Sequence, residues 1–196
     1  MKSDFIVCGF VTRNTCYEKI VKKYLLKSLK QFDIPFHIEQ TKDLGSWIRN
    51  TSQKPSVILK CLDMFPDKNI VYLDVDCSIK AYPSLFNEIP EEYDMGVHYL
   101  DLKKYYDTDK EELLSSVLFL RNKPRTYNLI KKWKERCGRG IFWEQRELEK
   151  IVEKEKIDIY ELPFNYSHIL SLPKSRAYVK FIPPTIVQCP VSGVNH

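Results

Sequence analysis

The chain has 196 residues, 43% of them hydrophobic and 13% aromatic, which is enough for a sizeable core in one domain and excludes wholesale disorder. Thirty-one lysines and arginines against 26 aspartates and glutamates leave a net charge of +5. That mild excess suits phosphorylated ligands, but without a basic stripe or a readout motif it gives no argument for nucleic acid.

In chain order, strand-like and helix-like runs alternate. FIVCGFVT (5–12) is a continuous apolar, β-branched run, as a strand covered on both faces requires. Asn14 or Thr15 is expected to cap a helix with the apolar spine Val21, Leu25, Leu29 and Phe32, beside Ile20 and Tyr24. Lys19, Lys22, Lys23, Lys27 and Lys30 fall largely on its other side, a solvated face. PFHIEQ (35–40) reads as a second strand, KPSVILKCLDMF (54–65) as a second helix, and NIVYLDVD (69–76) as the clearest strand of all. Further strands are expected at 94–100, 115–121 and 157–161, and helices at 124–137 and 142–155. From Pro163 onward five prolines break the periodicity, which predicts a covering segment and not a second domain.

This alternation predicts an α/β fold: a mostly parallel central sheet with helices on both faces. Residues 1–196 are expected to form a single domain, of a kind that a longer protein could also contain. The start MKSDFIVCGF lacks the pattern of a signal peptide, and no window approaches the roughly 18–20 apolar residues of a membrane span. Cys8, Cys16, Cys61, Cys77, Cys137 and Cys189 show no close pair and no histidine at ligand spacing, so free thiols and a cytoplasmic location are expected.

In open α/β sheets, ligands collect beyond the carboxyl ends of the strands. That rule selects Thr12-Arg13, the Asp74–Asp76 segment and the loops near 115 and 143. Asp74-Val75-Asp76 is the sharpest feature. On an extended segment, carboxylates at i and i+2 project to one side. Where a buried strand emerges, they make a hard, oxygen-rich corner for Mg²⁺ or Mn²⁺. A strand that simply ends in solvated acids has the same spacing, but the apolar run Ile70, Val71, Tyr72, Leu73 leading into the pair favours a site.

V-Y-L-D-V-D-C-S (71–78) resembles the Asp-x-Asp segment of GT-A glycosyltransferases, which transfer a sugar from a nucleoside diphosphate donor. The resemblance extends to Thr12 and Arg13, to Lys54-Pro55 opening the helix before that strand, and to the small-residue strand Ser115-Ser116-Val117-Leu118-Phe119-Leu120-Arg121-Asn122. Trp143-Glu144-Gln145 followed by Leu148 is similar to an acidic-Gln-x-x-Leu stretch at the sugar end of such sites, and Leu162-Pro163-Phe164-Asn165-Tyr166 matches more loosely. Together these cover roughly residues 5–192 and look most like small viral and phage transferases, chlorovirus domains among them.

Residue by residue, the resemblance implies that Asp76 ligates the metal and that Asp74 holds the metal or the donor ribose. Thr12 and Arg13 line the nucleotide site, with Tyr17 stacking on the base. Lys54 approaches the diphosphate as a mobile cation, and Ser116 lies beside the donor sugar. Glu144 stands at the reacting end as base, nucleophile or fixed charge, next to Trp143 as an apolar wall. Gln145 bonds donor-sugar hydroxyls. The implied cofactor is Mn²⁺ or Mg²⁺ and the implied donor a UDP-sugar. The implied acceptor is a hydroxyl of a glycan or glycoprotein, a viral capsid glycoprotein included, with no nucleic acid and no membrane span involved. For a viral chain the compartment would be the host cytoplasm. The Trp-Glu-Gln stretch resembles retaining enzymes more than inverting ones.

The sequence departs from the family where a histidine usually completes the metal shell. Gln188 stands at that place; the nearest histidines are His168 and His196, and the flexible approach Ser192-Gly193-Val194-Asn195 makes His196 the candidate third ligand. His37 and His98 lie within predicted strands and are expected to be structural.

Other readings use the same residues. Asp74-Val75-Asp76-Cys77-Ser78 also fits the nucleophile string of haloacid-dehalogenase phosphatases, with Asp74 as nucleophile. Their motif usually lies on the first strand, however, and Glu91-Glu92 and Glu111-Glu112 lack the apolar strand their acidic loop requires. A nucleotidyltransferase would carry a glycine-rich loop where Gly9-Phe10-Val11-Thr12-Arg13-Asn14 has one glycine. A non-catalytic nucleotide-sugar-binding module would keep the whole pattern.

Overall fold

The computed structural model describes residues 4–106, 108–138, 142–172 and 182–189. The first apolar run forms strand β1 (Phe5–Thr12), buried along its whole length. It is followed by a helix in three pieces: α1 (Tyr17–Val21), a π-helical segment (Lys22–Leu26) and α2 (Lys27–Gln31). Neither expected residue caps it. Asn14 sits at φ 60°, in the left-handed region, and the Thr15 hydroxyl donates back to the Thr12 carbonyl at 2.7 Å. The five lysines do face solvent.

Next come β2 (Phe36–Thr41), the short α3 (Trp47–Thr51), α4 (Lys54–Met64) and β3 (Asn69–Leu73). Then follow β4 (Cys77–Ile79), α5 (Leu85–Glu88), β5 (Met95–Asp101) and β6 (Glu111–Leu120). The last elements are α6 (Pro124–Cys137), α7 (Glu144–Lys154), β7 (Ile159–Glu161), β8 (His168–Ile169) and β9 (Ile186–Gln188).

The central sheet has six strands in the order β2-β1-β3-β6-β5-β7. Only β6 runs against its neighbours, β3 and β5, so the sheet is mostly parallel as expected. Alternation along each strand decides which face a residue serves. Ile6, Cys8, Ile70, Tyr72, Leu118 and Leu120 join a core with α4, α6 and α7. Phe5, Val7, Val71, Leu73, Val117 and Phe119 turn the other way, against Val21, Leu25 and Leu29.

The proline-rich tail does more than cover. Its β8 and β9 build a second sheet with β4, in the order β4-β9-β8. No helix among the described residues is long and apolar enough to cross a membrane.

Candidate active site

The strand that leads into the acidic pair stops earlier than its sequence suggests. The Asp74 N–H donates to the Ser116 carbonyl of β6 at 2.9 Å, and the Cys77 N–H closes a turn onto the Asp74 carbonyl, also at 2.9 Å. Asp74 and Asp76 therefore lie in a tight turn at the carboxyl end of β3, not on an extended segment. The far side of the turn is pinned by the Cys189 N–H on the Asp76 carbonyl at 3.0 Å and by the pairing of β4 with β9. Gly9 makes room behind it: a Cβ there would come within 2.7 Å of the Leu73 carbonyl oxygen, at the root of the turn.

Beneath the turn is a buried ionic hub. Lys54, the first residue of α4, is 2% exposed. Its Nζ lies 3.1 Å from Asp74 Oδ1 and 2.9 Å from Glu144 Oε1, and donates to the Ser115 carbonyl and hydroxyl at 3.1 and 3.0 Å. Tyr72 supports the same carboxylate, its hydroxyl donating to Asp74 Oδ1 at 2.9 Å. Burial works against the charge on Lys54, but Asp74 and Glu144 hold its pKa above the usual range. A buried ammonium with this many partners is no mobile cation. That expectation is corrected: Lys54 fixes Glu144 relative to Asp74 from below.

Glu144 is the first residue of α7, and it is as buried as Lys54. Burial alone would raise its pKa, but the Lys54 ammonium and the hydrogen bonds from Lys54 and Ser115 lower it, so Glu144 is ionised. The Ser115 hydroxyl donates to Glu144 Oε1 at 3.0 Å. Gln145 is committed to β6 at both ends. Its Oε1 accepts from the Ser115 N–H at 3.1 Å, and its Nε2 donates to Glu112 Oε1 at 2.6 Å. In this arrangement Gln145 positions the start of α7.

Asp76 is the least compensated acid of the group. It is 9% exposed, and no lysine or arginine among the described residues forms an ion pair with it. Burial first, and the neighbouring Asp74 second, push its pKa up to about 7. The Gln188 amide is beside it, with Nε2 3.5 Å from Asp76 Oδ1. Among the described residues no three His, Cys, Asp or Glu side chains converge on a metal position, and His196 lies outside the described residues. The two carboxylates form an oxygen donor pair, which fits a hard divalent cation. A buried, uncompensated carboxylate in that pair is what a bound cation would relieve.

These groups line a cavity of about 560 Å³, within the usual range for ligand sites. Thr12, Tyr17, Asp74, Asp76, Ser116, Glu144 and Gln145 all reach its wall, so the structure brings most of the sequence-selected residues together. Ser116 Oγ is buried there with no hydrogen-bond partner among the described residues. Tyr17 is close enough to Asp76 for that carboxylate, after burial, to raise its pKa. Arg13 and Lys54 are not on the wall: Arg13 is exposed at the end of β1, and Lys54 is under the floor. Sequence reasoning missed Trp47, Asn50 and Tyr106, which also line the cavity.

No family model matches the sequence, and no curated protein matches it. Solved structures do. A glycosyltransferase involved in the glycosylation of the major capsid of PBCV-1 superposes with a TM-score of 0.71 at 13% identity, over 95% of this chain and 92% of that one. The Streptococcus pneumoniae TIGR4 glycosyltransferase GlyE matches with a TM-score of 0.63 at 12% identity, over 95% of this chain and 54% of that one. Mouse xyloside xylosyltransferase 1 matches with a TM-score of 0.52 at 11% identity, over 96% of this chain and 98% of that one. At such identities the likeness is one of fold. The chain has the GT-A fold of glycosyltransferases, with an acidic turn and a cavity at the carboxyl ends of β1 and β3.

Proposed function

We propose that this chain is a glycosyltransferase that takes a sugar from a nucleoside diphosphate, a UDP-sugar, and places it on a hydroxyl of a glycan or glycoprotein acceptor. The observation that carries this reading is the convergence of the Asp74–Asp76 turn and the ionised Glu144 on one cavity. A divalent ion, Mn²⁺ or Mg²⁺, held by Asp76 and Asp74, would supply charge neutralisation for the departing diphosphate. Tyr17, beside the turn, would cover the base, and the free Ser116 hydroxyl would serve the ribose or the donor sugar.

Glu144 works best as a fixed charge. A general base is most effective with a pKa near the working pH, and Lys54 holds Glu144 away from that range. An ionised carboxylate at the reacting end stabilises the positive charge that develops at the anomeric carbon, and a retaining course, in which the departing diphosphate takes the acceptor proton, makes no demand on Glu144 as a base.

The test is calorimetric titration of UDP, GDP, dTDP and CMP with and without Mn²⁺, followed by turnover of the matching nucleotide sugar. UDP should bind in the presence of Mn²⁺, and Asp76→Ala should lose that binding while its circular dichroism stays unchanged. Glu144→Gln should keep UDP binding and slow transfer. If the folded protein binds none of the four nucleotides, the proposal fails. Binding without turnover of any nucleotide sugar would make the chain a binding module instead.

A further inference from the structure

The rim of the cavity is built from different material than its floor. Trp47 is the first residue of α3, and Ser46 caps that helix by accepting from the Arg49 N–H at 3.4 Å. The preceding loop is tied down as well. Asp43 Oδ1 accepts from the Gly45 N–H and from Asn50 Nδ2, each at 2.9 Å, while the Leu44 N–H donates to Asn50 Oδ1 at 2.8 Å. Trp47 is thus held in place while 44% exposed. Across from it stands Trp143, just before α7, with ring centroids 6.0 Å apart and planes inclined by 54°. The Arg146 guanidinium lies over the Trp143 ring at 5.5 Å, and Tyr106, 50% exposed, lines the same cavity.

Large aromatic side chains anchored at the mouth of a cavity are typical of ligand sites. The wall is polar as well: Asp43, Asn50 and Glu112 line the same cavity as these rings. Flat apolar faces bordered by carboxylates and amides match one chemistry well. A pyranose ring presents C–H bonds on a face and hydroxyls around its edge. The C–H face meets the electron-rich face of an indole, and the hydroxyls meet the carboxylates and amides. A lipid surface would gain nothing from Asp43 or Glu112. The position also fits, because Trp143 directly precedes Glu144 and so adjoins the reacting end, whereas Tyr17 lies beside Asp76 at the nucleotide end.

We propose that Trp47 and Trp143 form the acceptor subsite and that the acceptor's reacting unit is a pyranose sugar. The inference rests on the glycosyltransferase reading above and deepens it: the attacking hydroxyl belongs to a glycan, not to a bare protein side chain. Its oxygen bonds to the anomeric carbon of the donor sugar while the bond from that carbon to the diphosphate oxygen breaks. The electron pair leaves on the UDP, and the hydroxyl proton passes to the departing diphosphate.

Intrinsic fluorescence provides the test. Of the three tryptophans, Trp133 is fully buried, so a change on adding sugar reports on Trp47 and Trp143. The full chain, with Mn²⁺ and with and without UDP, is titrated with glucose, galactose, mannose, xylose, their methyl β-glycosides, maltose and cellobiose. At least one sugar should give a saturable change, with affinity about tenfold weaker in Trp47→Ala and largely recovered in Trp47→Phe. UDP affinity measured by calorimetry should stay within about twofold in both variants. The proposal is overturned if no sugar saturates, or if Trp47→Ala binds sugar as tightly as the unaltered chain. Trp47-dependent binding to phosphatidylglycerol vesicles in place of sugars would overturn it in favour of a lipid surface. Sugar binding with no UDP binding would remove the donor reading and leave the sugar platform standing. UDP binding with no sugar binding would do the reverse.

Discussion

At the inner end of the cavity, Lys54 is 2% exposed and contacts Asp74, Glu144 and Ser115, while at the outer end Trp47 is 44% exposed and is held mainly through its backbone and the loop before it. The inner end places charges in low dielectric, where each is tolerable only because its partners are fixed. The outer end leaves apolar surface in water, where a ligand and not the fold would gain from it. Substitutions at the inner end should therefore damage stability first, and those at the outer end should damage ligand binding alone.

The largest effect is expected from Lys54→Met. It would leave two carboxylates at the floor without their cation, and breaking a buried pair by removing one partner costs about 3–5 kcal/mol. Adding Glu144→Gln to that variant removes one uncompensated charge and should recover part of the loss, so the two changes will not be additive. Urea denaturation of the two single variants and the double variant measures this coupling. Additive losses would mean that Lys54 and Glu144 act independently, and the hub would not exist as a unit.

A smaller effect is expected from pH. The Asp76 carboxyl has a pKa of about 7 in the folded protein against an ordinary value of 3.8. Between those values the folded state binds a proton that the unfolded chain has already released. Stability is therefore greatest below the lower value and falls as pH rises through the window, at most about 1.4 kcal/mol per pH unit. Asp76→Asn should remove that part of the slope, and Mn²⁺, by favouring the ionised folded state, should flatten it in the unaltered chain. Denaturation midpoints at several pH values between 4.5 and 7.5 decide the matter. Equal slopes in the unaltered chain and in Asp76→Asn would show that another group controls this range.

The two ends also differ in how much of them the sequence reveals. Continuous β-branched runs identify β1 and β3 because strands buried on both faces have no polar positions to interrupt them. Apolar periodicity locates α4, α6 and α7 for the matching reason in helices. Asp74 and Asp76 are legible because they stand only two positions apart in the chain. Their conformation is not: Val75 between them continues the strand pattern, whereas the chain turns there, closed by the Cys77 N–H on the Asp74 carbonyl and pinned by the Cys189 N–H on the Asp76 carbonyl, from a residue far away in sequence. The partners of Lys54 are hidden in the same way, because Asp74, Ser115 and Glu144 meet it only through the sheet. At the rim, α3 has five residues, too few to show a helical period. Ser46 before Trp47 was still a usable signal, since serine is among the preferred residues for starting a helix.

The smallest expected effect completes the comparison. Removing the Trp47 side chain takes away an exposed ring that meets the inclined Trp143 indole. Aromatic pairs contribute about 0.5–1.5 kcal/mol beyond area burial, with exposed pairs at the lower end, and surface substitutions usually change stability by no more than about 0.5 kcal/mol. Trp47→Ala should therefore shift the urea midpoint only slightly, with an unchanged slope, while weakening sugar binding. A loss approaching that of Lys54→Met would mean that Trp47 plugs the fold instead of facing a ligand. The rim would then belong to the same buried architecture as the floor, and the contrast between the two ends would disappear.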